Sequence, residues 1–174
     1  MNNNEIHAME MVKKNDTEGA IQLYKEALRD FLSLNDPLSA SRVCMKLAEL
    51  TEKVDAKGAE TFHQQAWIFA ERASEDGSSS LEWPATVCEE YGCYLENQSR
   101  EWEAIEMLSL SLDHLDTALQ TMLEALEDED SPEPEASSIY SVMYATRQTL
   151  AHFNALSEKL AEEVDQLKQR REEA

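Results

Sequence analysis

The sequence predicts an all-α protein: tandem antiparallel helix hairpins in about three units, followed by two long C-terminal helices. Three observations predict it. Only four Gly and four Pro occur among 174 residues, too little turn chemistry for many short strands. Leu, Ala, Glu, Met and Gln, all good helix formers, are abundant. Between clusters of helix breakers, apolar residues recur at helical spacing. With 42% hydrophobic and 29% charged residues, the composition is that of a globular chain long enough to bury a core.

The breaks fall at Asn15-Asp16, Asn35-Asp36-Pro37, Asp55-Ala56, Glu75 to Ser80, Asn97-Gln98-Ser99 and Asp128 to Pro134. Each supplies an Asx or Ser cap, Gly or Pro. Pro37 after Asp36, and Pro84 after Trp83, suit a first helical turn, where a missing N–H costs nothing. The segments between the breaks, 4–14, 17–34, 37–53, 56–74, 83–97, 100–128 and 136–172, are each of helical length.

The shorter segments come in pairs with a recurring skeleton. Ala20, Tyr24 and Ala27 place small residues three and four positions from an aromatic. Ala59, His63 and Ala66, then Ala104, Leu108 and Ser111, repeat that spacing. Small residues on one helix face let a neighbouring helix approach closely, as a hairpin requires. In the preceding segments Ala8 lies twelve residues before Ala20, Gly92 twelve before Ala104, and Ala48 eleven before Ala59. Val43-Cys44 and Val87-Cys88 also recur, 44 positions apart.

This skeleton resembles the tetratricopeptide repeat over about 115 residues, with units of about 39–45 residues instead of the usual 34. The likeness is carried by the small residues; the Trp and Pro of the full consensus are missing. It implies a repeat region over residues 1–115 whose first helices line a groove. Matching positions put Arg42, Met45, Glu49 and Lys53 of the second unit there, with Thr86, Glu89, Glu96 and Asn97 of the third. Glu90 adds to the acid of the same segment.

After Ser99 the pattern changes. Leu108, Leu112, Leu115, Leu119, Met122 and Leu126 step alternately by four and three, a heptad-like seam that needs a long partner. Leu150, Phe153, Leu156, Leu160, Val164 and Leu167 supply a second stripe. Residues 116–174 are thus expected to hold an extended helix, an acidic Pro-containing linker and a C-terminal amphipathic helix that folds back as a cap. Alternatively, the terminal stripe could pair with a second chain as a homodimer.

Net charge is −21, and it is unevenly placed. Residues 1–72 are net −3 and residues 147–174 net −1, whereas residues 73–146 carry eighteen acidic side chains and one basic one, Arg100. A solvated face and an acidic loop account for part of this. Such a field also attracts a basic protein or peptide and repels DNA and RNA, so direct nucleic-acid binding is not expected. An acidic decoy that occupies the basic cleft of a nucleic-acid enzyme is the alternative reading.

Catalytic signals are lacking. Glu60 and His63 have the Glu-x-x-His spacing of carboxylate di-metal bundles, but no second copy exists. His63 also falls on the aromatic position of the repeat, which favours packing. Cys88 and Cys93 lack zinc-knuckle spacing, and on a helix they would lie about 140° apart, poor geometry for a disulfide. Phosphate loops, nucleophile elbows and zinc-protease motifs do not occur. Trp67, Trp83 and Trp102 are expected in the core. The opening segment has no apolar core of a secretory leader, and no run of about 18 apolar residues suggests a membrane span. The expectation is a cytoplasmic, non-catalytic adaptor or chaperone-like module that needs neither metal nor cofactor.

Overall fold

The computed structural model describes residues 2–77, 79–80, 82–127 and 134–172. Described elements are all helical: α1 (Asn3–Lys13), α2 (Thr17–Ser33), α3 (Pro37–Glu52), α4 (Ala56–Glu75), α5 (Glu82–Asn97), α6 (Glu101–Glu127) and α7 (Ala136–Glu172). Every helix lies within about a residue of its expected span. The acidic linker expected between α6 and α7 falls mostly outside the described residues.

Local chemistry explains why the ends lie where they do. Asp16, Asp36 and Asp55 cap α2, α3 and α4; each carboxylate accepts the N–H three residues on, from Gly19, Ser39 and Gly58 at 2.9, 2.9 and 3.0 Å. Caps of this kind are worth about 1 kcal/mol each. The ends of α1, α2 and α5 share one joint. Asn15, Asn35 and Ser99 sit at φ of 58°, 53° and 57°, a left-handed conformation that stops a helix. The next N–H then reaches back five residues, Asp16 to Met11, Asp36 to Phe31 and Arg100 to Leu95, each at 3.0 Å. Each left-handed residue donates to the carbonyl three residues back, completing a Schellman motif.

The chain divides into two compact units, residues 1–87 and 88–174, with the boundary inside α5. In the first, α1 packs on α2, α2 on α3 and α3 on α4. Its core holds Tyr24, Phe31, Val43, Leu47, Ala66 and Val87 among others. Ala8, Ala20, Ala27, Ala40, Ala48, Ala59, Ala66 and Ala70 are wholly buried. The small residues of the sequence skeleton are therefore the contact surfaces between helices.

In the second unit α7 folds back on α6. Gly92 of α5 faces α6 closely enough that an added Cβ would lie 3.3 Å from the Ala104 carbonyl oxygen. The α6 seam is buried at Leu108 and Leu115 and opens toward Leu126, which is 49% exposed. The α7 stripe differs from the expected one. Val142, Thr149, Leu156 and Leu160 are buried, Leu150 and Leu167 are exposed, and Val164 lines a groove with Trp102 and Ile105 of α6. The seven-residue step from Val142 to Thr149 to Leu156 keeps one face on the partner helix, and Leu150 lies one position off it. Trp102 is likewise exposed, not in the core.

Candidate partner-binding surface

In the first unit, α3 turns Val43, Cys44, Leu47 and Leu50 inward and leaves Arg42, Glu49 and Lys53 exposed, with Met45 half-buried. Arg42 holds its guanidinium 5.4 Å above the Trp83 ring. The Trp83 indole N–H donates to Ser41 Oγ at 3.0 Å, and Ser41 donates to the Ala66 carbonyl at 2.8 Å. Glu49 lies between Lys46 at 3.1 Å and Lys53 at 3.5 Å. The Lys46 hydrogen bond leads in holding its pKa below the usual carboxylate range. The face thus carries three cations, Arg42, Lys46 and Lys53, against one carboxylate, Glu49.

Beside that face is a cavity of about 220 Å³, lined by Met9, Val12 and Lys13 of α1, Tyr24 of α2, and Lys46, Glu49 and Leu50 of α3. Burial raises the Tyr24 pKa, with Glu5 and Glu49 adding to it. The phenol stays neutral there. Thr86 is exposed on the part of α5 within the same unit, and its hydroxyl donates to the Glu82 carbonyl at 3.1 Å.

The second unit carries the acid. Glu89, Cys93, Glu96 and Asn97 share one helical face of α5, with Glu90 exposed beside it. Burial pushes the Cys93 thiol up to about 11, and Glu89, Glu90 and Glu96 contribute in that order. The thiol thus registers the negative field these carboxylates create. Cys44, in the first unit, is raised by burial alone to about 12. All three thiols are free, and these two are poor nucleophiles near neutral pH.

Not every carboxylate here faces solvent alone. Glu96 Oε2 lies 2.7 Å from His152 Nε2 of α7, and Glu101 is 3.1 Å from Lys159 Nζ. Both contacts fasten α7 to the start of the unit. Arg100, the single basic residue of the acidic block, pairs with Glu103. Glu89 and Glu90 are the carboxylates of the expected set best placed to meet a partner, whereas Glu96 has a structural contact. Sequence reasoning missed that contact because Glu96 and His152 are 56 residues apart.

A second feature escaped the sequence reading. Where the end of α6 meets the start of α7, Leu119, Met122, Leu123, Leu126, Ile139 and Met143 line a groove of about 280 Å³. Leu123, Tyr140, Met143 and Tyr144 are 59%, 72%, 54% and 66% exposed. The signal available in the sequence was the apolar pair Tyr140 and Tyr144 with Met143, off the stripe that starts at Leu150. No helix among the described residues is long and apolar enough to cross a membrane. No family model, curated protein or solved structure matches the chain.

Proposed function

We propose that this protein is a non-catalytic binding module, an adaptor or chaperone-like protein of the cytoplasm, that takes a basic protein or peptide through its acidic second half. One observation carries the reading: between residues 73 and 146 eighteen acidic side chains face a single basic one, and Arg100 is already paired with Glu103. A field of this kind accelerates encounter with a basic partner and weakens with salt.

The test is a pull-down from the native host at low and high salt, comparing the native chain with a Glu89→Lys/Glu90→Lys variant. These two positions leave the Glu96–His152 contact intact. A basic protein recovered by the native chain at low salt should be lost at high salt and bind the variant about tenfold more weakly. Unchanged affinity and salt dependence in the variant would overturn the reading. The run from Glu101 to Thr146, which has no Lys or Arg, favours a second reading as an acidic decoy. Competition between this protein and DNA or RNA for the recovered partner separates the two.

A further inference from the structure

We infer that the apolar groove between the end of α6 and the start of α7 is the docking site for an amphipathic helix with basic flanks, contributed by the partner. The inference rests on the reading of a basic partner and names where and how that partner is gripped. Leu119, Met122, Leu123 and Leu126 from α6 face Ile139 and Met143 from α7 across the groove. Leu123, Leu126, Tyr140, Met143 and Tyr144 remain exposed around it. Contiguous apolar surface with a polar rim marks an interaction site. Two antiparallel helices with an open seam leave the place of a third helix, whose apolar residues at i, i+3 or i+4, and i+7 would fill it.

Charge selects the occupant. Residues 116–146 contain eight acidic side chains and no Lys or Arg. Glu124 and Glu127 are exposed beside the groove's α6 wall, and Glu135 precedes α7. Arg147, one turn beyond Met143, is the first basic residue on α7. A second copy of this chain would bring the same acidic rim against itself, at a cost. A helix carrying Lys or Arg beside its apolar stripe gains both terms.

The probe is a synthetic 16-residue peptide with Leu at helical a and d positions and Lys on its flanks, about 24 Å long as a helix. Its controls are a scrambled peptide of the same composition and a version with Lys replaced by Gln. Binding is followed by fluorescence anisotropy at low and high salt, and located by backbone amide shifts. The amphipathic Lys peptide should bind with amide shifts clustered at residues 119–127 and 136–147. Leu123→Ser/Met143→Ser should weaken it at least about tenfold, with the helical circular-dichroism spectrum unchanged because both side chains are more than half exposed. The scrambled peptide should bind at least about tenfold more weakly.

Lys-peptide binding that survives Leu123→Ser/Met143→Ser, or whose shifts map to α5, overturns the groove assignment and leaves the basic-partner reading standing. Equal binding of the Gln peptide at the groove overturns the inferred basic flanks, while the basic-partner reading stands or falls on the Glu89→Lys/Glu90→Lys comparison. No binding of any peptide by the native chain overturns the inference. So does a dimer in sedimentation equilibrium that Leu123→Ser/Met143→Ser abolishes, because the occupant would then be a second copy.

Discussion

His63 is buried inside α4 with 5% of its surface exposed. Burial lowers its pKa from the ordinary 6.5 to about 4, against the opposing pull of Glu60. Between those values the unfolded chain binds a proton that the folded chain does not, so stability falls as pH drops through this window. The full difference corresponds to about 3 kcal/mol at pH below 4. His63→Phe should remove this dependence. Urea unfolding of both chains from pH 7.5 to 4 isolates it as their difference. Thr149 offers an opposite case. Its Oγ1 is buried and has no hydrogen-bond partner among the described residues. Thr149→Val keeps the shape, removes a desolvated hydroxyl and should stabilise the chain by about 1 kcal/mol in urea unfolding.

Among the elements, the three Schellman joints differ in how well their left-handed residue suits its conformation. Asn tolerates it; Ser99 does so less readily. Ser99→Gly should therefore raise stability by about 0.5–1 kcal/mol, visible as a higher thermal midpoint. Gly92 tests the helix contact that follows the joint. An added Cβ would lie 3.3 Å from the Ala104 oxygen and from Leu108 Cγ. A branched side chain has nowhere to go, so Gly92→Val should cost about 1–3 kcal/mol, measured by the same thermal unfolding. These joints and caps also explain what could be read from sequence. Asp16, Asp36 and Asp55 announce helix starts through local chemistry alone, and the buried alanines announce close contacts through spacing. Thr149 and Val142 were missed because a polar and a β-branched residue do not stand out beside Leu150. Exposed Trp102 was read as core because residue type says nothing of which face of α6 it occupies. On the candidate surface, the acid of Glu89 and Glu90 was legible from charge counting. The Glu96–His152 contact and the α6–α7 groove depend on how α7 folds back, which spacing within one helix does not encode.

For the molecule as a whole, charge and topology dominate. Net charge of −21 works against compactness through self-repulsion. Raising sodium chloride from about 0.05 to 0.5 M shortens the screening length severalfold. The thermal midpoint should rise with it, by roughly 2–4 °C for each 1 kcal/mol relieved. A fall in midpoint over that range would mean that paired carboxylates such as Glu49 and Glu101 contribute more than the unpaired excess removes. The contacts between helices have a different consequence. Among the described residues the main ones join helices that are neighbours in sequence: α1 with α2, α2 with α3, α3 with α4, and α6 with α7. Loops that must close are then short, the entropy of closing them is small, and folding is fast. A nascent chain emerging residue by residue can complete α1 on α2 before α4 has been synthesised.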